Sequence, residues 1–220
     1  MATSAELLAK RKRRSFGEVK QRQEVRCEHA WVSIHPSSKE LLMTYESEGL
    51  VVCINGSGSL EQTHVQSEEA GLLAQEVVKR GGVVLNGGRK TGIMGSTTKA
   101  AKGAVLGVVH EQIATANEQA GVPKIVVSKS SSRNELLATC APVIVIFQGG
   151  LGSTQQLIRA IVHVNNVQQE DDQLSHLLFV STYWYPLLET LVNMGSIPRE
   201  FLKDVFFFHR YEEVVEHLPS

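Results

Sequence analysis

The apolar positions of this chain arrive in short continuous runs closed by glycine, and between the runs the spacing slows to three or four residues. Val51, Val52, Cys53 and Ile54 make the first run, and residues 83–85, 104–110 and 124–127 the next three. Val143 to Ile146, closed by Phe147, is the fifth, and residues 177–180 and 205–208 complete the set. Runs rich in β-branched residues predict strands buried on both faces, because a half-exposed strand would alternate with polar residues. Helical spacing fills the intervals. Residues 67–80 place Ala70, Leu73, Ala74, Val77 and Val78 on one stripe, ended by Gly81 and Gly82. Helices are also expected around Thr98, Ala100 and Ala101, in the polar interval before Lys124, and over 133–141, 153–167, 185–194 and 211–217. In the 153–167 helix Leu157, Ile161 and Val164 mark the buried stripe, with Gln156, Ala160 and His163 beside it. Residues 168–173 read as a charged, amide-rich loop.

Strands alternating with helices imply an α/β protein: a parallel sheet of about seven strands with helices on both faces. In such a sheet ligands bind beyond the carboxyl ends of the strands. Three of those ends carry glycine loops, at 55–59, 86–95 and 148–152. In the last, Gly149, Gly150 and Gly152 make the turn, and Ser153 and Thr154 are expected to cap the helix that Gln155, Gln156, Leu157 and Ile158 begin. A strand, a glycine turn and a helix start aim unpaired backbone N–H groups and the positive helix end at one spot, which suits a phosphate. A glycine turn can also serve only to reverse the chain. The convergence of three such loops on one edge favours the phosphate.

Composition adds bounds. With 220 residues, 42% of them hydrophobic and 20% charged, the chain suits one sizeable domain over 49–220 after an extension over 1–48. A net charge of -1 excludes global attraction to nucleic acid. Within the extension, residues 16–27 read as a charged helix and 38–45 as a short one capped by Ser37 or Ser38. The basic run Lys10, Arg11, Lys12, Arg13 and Arg14 reads as a solvated tail, with nuclear import, a mitochondrial presequence or an acidic partner as alternatives. Glu6 and Glu18 count against a presequence. With no apolar run long enough for a bilayer and no signal peptide, a cytoplasmic protein without a membrane partner is expected. Cys27, Cys53 and Cys140 lack metal-ligand spacing and read as reduced thiols, so no metal site and no cofactor are expected.

From about residue 50 to 218 the chain resembles the Lonely Guy (LOG) phosphoribohydrolases, long mislabelled as lysine decarboxylases, within the Rossmann-like nucleotide-binding proteins. Cys53-Ile54-Asn55-Gly56-Ser57 is similar to their first strand and its Gly-Ser end. Asn86-Gly87-Gly88 with Gly92-Ile93-Met94-Gly95 is similar to their Gly-Gly-Gly-x-x-Gly-Leu-Met-Gly loop. Arg133-Asn134 stands at their Arg-Lys, and residues 148–156 at Pro-Gly-Gly-x-Gly-Thr-x-x-Glu. Tyr185-Pro186-Leu187-Leu188 and Gly195-Ser196-Ile197 match the closing helix. These enzymes hydrolyse the N-glycosidic bond of nucleoside 5'-monophosphates, including cytokinin forms, to free base and ribose 5-phosphate. The resemblance implies that Gly149, Gly150, Gly152, Ser153 and Thr154 cradle the phosphate. It implies that Gly56, Ser57, Gly87, Gly88, Gly92, Met94 and Gly95 shape the pocket, that Arg133 is the catalytic arginine, and that the chain is a homodimer sharing pocket residues across its interface.

The departures from the motif decide the functional expectation. The catalytic glutamate falls on Gln156, the motif proline on Gln148, the threonine on Ser153, the lysine on Asn134, and an aspartate before the buried strand on Pro142. Cleaving the glycosidic bond builds positive charge on the ribose and needs an activated water; glutamine supplies neither the charge nor the base. Loss of a general base commonly costs about 10²–10⁴ in rate. Three functions follow as expectations. The first is a protein that binds a nucleoside monophosphate or similar phosphorylated molecule with lost or weakened hydrolysis, a pseudoenzyme. The second is an active phosphoribohydrolase with a relocated carboxylate, Glu135 or Glu111 being the candidates and His110 and His163 the nearby imidazoles. The third is a cofactor carrier or a subunit of a larger assembly docked by the basic segment. Arg89 and Lys90 read equally as loop charges or extra phosphate ligands, and Trp184 and the phenylalanines at 206–208 as core or subunit interface.

Overall fold

The structure, a computed structural model, describes residues 49–111, 121–127, 129–170 and 176–218. The helices expected at 16–27, at 38–45 and before Lys124 lie outside the described residues, as do Cys27 and the basic run. Seven parallel strands form one sheet: β1 (Val51–Asn55), β2 (Val83–Asn86), β3 (Val105–His110), β4 (Lys124–Val127), β5 (Val143–Ile146), β6 (Leu177–Ser181) and β7 (Val205–Phe208). Their spatial order is β4-β3-β2-β1-β5-β6-β7. The chain therefore winds outward from β1 to one edge, returns to pair β5 with β1, and winds outward again to the other edge. Val52 lies opposite Val143 and Asn55 opposite Ile146 in that central pairing.

Period-two alternation explains why both faces are apolar. Val52 and Ile54 of β1, with Val143, Val145 and Phe147 of β5, pack on the face covered by α1 (Val65–Lys79) and α2 (Gly92–Ala100). Val51 and Cys53, with Ile144 and Ile146, pack on the face covered by α3 (Ser130–Thr139), α4 (Leu151–Glu170) and α5 (Tyr185–Asn193). A last short helix, α6 (Tyr211–Val215), leans on α1 through the buried Glu69, whose carboxylate accepts from the Tyr211 N–H at 2.7 Å and pairs with Arg210 at 2.9 Å. The Cys53 thiol donates to the Leu137 carbonyl at 3.1 Å, and burial pushes it up to about 12, as a core thiol requires.

Boundaries differ from expectation in three places that matter. Helix α1 starts at Val65 because the His64 imidazole accepts from the Gln66 N–H at 3.2 Å, a cap that composition does not advertise. Helix α3 starts at Ser130, so Arg133 is inside its first turn. Helix α4 begins at Leu151 and runs to Glu170 rather than spanning 153–167. The Gly150 carbonyl accepts from the Thr154 N–H at 2.9 Å, which makes Gly150 the flanking residue and puts Ser153 and Thr154 inside the helix instead of capping it. Residues 168–170 continue the helix because Gln and Glu are good helix formers; the remainder of the expected loop lies outside the described residues.

The carboxyl end of β5 is fastened from above. Trp184, buried at the start of α5, donates its indole N–H to the Phe147 carbonyl at 3.0 Å, one residue before the glycine loop. Trp184→Phe keeps most of the apolar volume but strands that carbonyl; the expected loss is about 1–2 kcal/mol in urea-induced unfolding.

Candidate functional site

The order of the strands places the loops after β1 and β5 side by side at the point where the winding reverses, the position where open parallel sheets bind ligands. Backbone hydrogen bonds then tie three loops into one unit. The Ser57 N–H donates to the Gln148 carbonyl at 2.8 Å, joining the first loop to the third, and the Ser57 carbonyl accepts from the Ile93 N–H at 2.9 Å, joining it to the second. Thr91 adds a hydroxyl bond to the Gly58 carbonyl at 2.6 Å. The second loop is held by Asn86, fully buried: its amide N–H₂ group lies within 3.3 Å of the Met94 carbonyl and the Thr97 and Thr98 hydroxyls, and its oxygen accepts from the Gly88 N–H at 2.8 Å. The third loop rests on Gln66 of α1, whose side-chain oxygen accepts from the Gln148 N–H at 3.4 Å and the Ser181 hydroxyl at 3.1 Å. A proline at 148 could not make the first of these bonds.

The tied loops enclose a cavity of about 220 Å³ lined by Asn55, Gly56, Ser57, Gly58, Ser59, Arg89, Met94, Arg133, Gly150, Gly152, Ser153 and Gln156. No carboxylate is among them. Arg133, half-buried, reaches back from α3 and donates through Nε to the Val108 carbonyl at 2.9 Å and through Nη2 to the Gly87 carbonyl at 3.0 Å. Burial, with a contribution from the Arg89 charge, pushes its guanidinium down to about 10, which leaves it cationic at neutral pH. Gln156 is 5% exposed, sits one helical turn past Gly152 and lines the cavity. The amino end of α4, two arginines and a neutral amide therefore face one small space, an arrangement that favours an anion.

The sequence-derived site residues divide into two groups. A Cβ added at Gly56, Gly87, Gly88, Gly92, Gly95 or Gly149 would come within 2.5 Å of other protein atoms. At Gly92 the backbone is also left-handed, with φ +62°. These glycines serve the packing of the loops. Gly150 and Gly152 differ: neither has a positive φ, and a Cβ at either would meet no atom of the described residues within 4 Å. Gly56, Ser57, Met94, Arg133, Gly150, Gly152, Ser153 and Gln156 line the cavity, whereas Gly87, Gly88, Gly92, Gly95, Gly149 and Thr154 do not. The Ser57 hydroxyl is occupied by the Ser59 and Leu60 N–H groups at 3.1 and 3.3 Å.

Other expected residues are turned elsewhere. Thr154 donates to the Gly150 carbonyl at 3.1 Å and borders a separate groove of about 930 Å³ between α3 and α4. Glu135 belongs to that groove and is paired with Arg159, His163 lines it, and Asn134 there donates to Gln155 at 3.0 Å. His110 is buried at the end of β3, and neither it nor the exposed Glu111 lines the small cavity, contrary to the expectation that His110 faces it. Lys90 is exposed and outside the lining. Arg89, which reads equally from sequence as surface charge or ligand, is in it, and so are Asn55, Gly58 and Ser59, which belong to the 55–59 loop but are not among the expected site residues. A signal for Arg89 exists in the motif spacing: counted back from Gly92, the third glycine of the LOG loop falls on Arg89. Among the described residues no group of three or more His, Cys, Asp or Glu is placed to hold a metal, and no helix is long and apolar enough to cross a membrane.

No curated protein matches the sequence. Among solved structures, the molybdenum cofactor binding protein of Rippkaea orientalis superposes with a TM-score of 0.59 at 20% identity, covering 76% of this chain and 93% of that one. The molybdenum cofactor carrier protein of Chlamydomonas reinhardtii gives 0.56 at 18% identity, covering 76% and 94%. At these identities the likeness is one of fold. A family model matches residues 49–178, more than half of the sequence and all three site loops, and on that match the chain belongs to the SLOG cluster4 family, a LOG-like group of Rossmann-type fold.

Proposed function

We propose that this protein is a non-hydrolytic carrier of a phosphate-bearing small molecule, gripping the phosphate at the amino end of α4 beside Arg133. The observation that carries this reading is the makeup of the small cavity: two arginines, a bare Gly150 and Gly152 at a helix start, and, among the described residues, no carboxylate to act as a base. The backbone N–H groups of the first turn of α4 are the phosphate ligands, and the absent Cβ atoms at 150 and 152 leave the phosphate room to reach them. Ser153, 5% exposed at the same turn, supplies a hydroxyl. Gln156 binds without activating water, so a seated ligand is kept intact.

A cofactor carrier fits better than a nucleotide hydrolase because the carboxylates that would have to replace the missing base point elsewhere, Glu135 being paired with Arg159. The two solved structures of like fold are a molybdenum cofactor binding protein and a molybdenum cofactor carrier, and a phosphorylated cofactor of that kind is the cargo we favour over a nucleoside monophosphate. At about 220 Å³ the cavity is smaller than the ~300–1,000 Å³ of sites that enclose a whole ligand, so it holds the phosphate end. The proposal includes a homodimer, for which the α3–α4 groove offers the 87%-exposed Leu151 and the 42%-exposed Val162. It also keeps residues 1–48 as an extension separate from the domain over 49–220.

Four experiments test the reading. Protein purified from a host that makes the molybdenum cofactor should carry near-stoichiometric molybdenum and oxidised-pterin fluorescence, both lost in Arg133→Ala; steady release of free base from adenosine 5'-monophosphate by the wild type would overturn it. Gly152→Ala should leave stability unchanged or raise it by up to about 1 kcal/mol, since alanine is the better helix former, while weakening phosphate binding. Gly149→Ala, which drives a methyl into Ser153, should instead lower the unfolding free energy by about 1–3 kcal/mol. Leu151→Glu should shift the sedimentation coefficient from dimer to monomer.

A further inference from the structure

We infer that the cavity is built for a ligand presenting two neighbouring anionic groups, one held by Arg133 and the amino end of α4 and the other by Arg89. This rests on the phosphate-binding reading above and adds to it the charge and spacing of what is bound.

The two guanidinium groups come from different elements and are held in different ways. Arg133 is fixed from α3 by two backbone carbonyls, which orient it without neutralising it. Arg89 comes from the loop after β2 and lies across the first loop at Gly58, where an added Cβ would meet its Cδ and Nη1 at 3.1 Å each. The first loop thus leaves a slot for the Arg89 side chain. Both groups line the same cavity, with no carboxylate among its described residues to balance either. Two like charges sharing so small a space repel, and each negative group brought between them relieves that repulsion and gains charge-assisted hydrogen bonds. One phosphate on α4 and Arg133 leaves Arg89 uncompensated; a second anionic group completes the balance.

Gln156 fits this division. Its side chain lines the cavity, offers donors as well as an acceptor, and carries no charge that would repel a second anion. The space is also of the right order, too small for a whole nucleotide yet open to two linked phosphates or a phosphate with a nearby carboxylate.

The test is calorimetric titration of the full chain at low salt with inorganic phosphate, pyrophosphate and 3-phosphoglycerate. Pyrophosphate or 3-phosphoglycerate should bind about tenfold or more tightly than phosphate, the equivalent of one charge-assisted hydrogen bond. Arg89→Ala and Arg89→Gln, checked for an unchanged melting temperature, should remove that preference, lowering pyrophosphate or 3-phosphoglycerate affinity about tenfold more than phosphate affinity. A preference for pyrophosphate assigns linked phosphates, and a preference for 3-phosphoglycerate assigns a phosphate plus a separate anion. Equal affinities for all three probes in the wild type, or an equal loss for phosphate and pyrophosphate in the Arg89 variants, would overturn the inference and leave the phosphate reading standing. Failure of all three to bind would overturn both.

Discussion

The peptide groups of Ser57 are the hinge-pin of this molecule. Its N–H reaches the loop after β5 and its carbonyl receives the loop after β2, so a single residue locks three segments that are far apart in sequence. Connecting loops are ordinarily the mobile part of a domain; here backbone bonds between them make their relative placement a property of the main chain. The parallel order that seats β5 against β1 brings the partners into range, and Asn86, Gln66 and Trp184 hold the second loop, the third loop and the strand end below it. Side-chain identity at the cavity wall can therefore change without loss of the frame.

Within that frame the electrostatics run one way. The positive end of α4 and the guanidinium groups of Arg89 and Arg133 add, and no acidic side chain among the described residues of the wall opposes them. At position 156, where the LOG motif has a glutamate, the chain has an amide, and the proposed carrier role turns on that exchange. The fold shared with the two cofactor-binding structures, at 18–20% identity, speaks to architecture alone.

Much of the fold was legible because buried parallel strands are continuous apolar runs: residues 124–127, 143–146 and 205–208 coincide with β4, β5 and β7. Family membership was legible in the loops. The strand order was not, since periodicity says which residues face inward and nothing about which strand lies beside which. The start of α4 was misplaced because Ser153 and Thr154 look like caps, while the actual flanking group is a glycine carbonyl that leaves no side-chain signature. The glycines could not be sorted by sequence either. Gly149 and Gly152 are the same letter, yet one avoids Ser153 and the other borders open space, and only coordinates separate them. Arg133 was found through the motif; Arg89 was blurred because a charged residue in a polar loop is usually a solvated one.

Gly150, Gly152 and Gln156 belong to successive turns at the head of one helix. In the proposed reading, grip is vested in the main chain of the first turn, whereas turnover would depend on a single side chain on the second. One exchange of carboxyl for amide at 156 would then forfeit chemistry without disturbing the hold on the ligand, and the reverse exchange would be an equally short path.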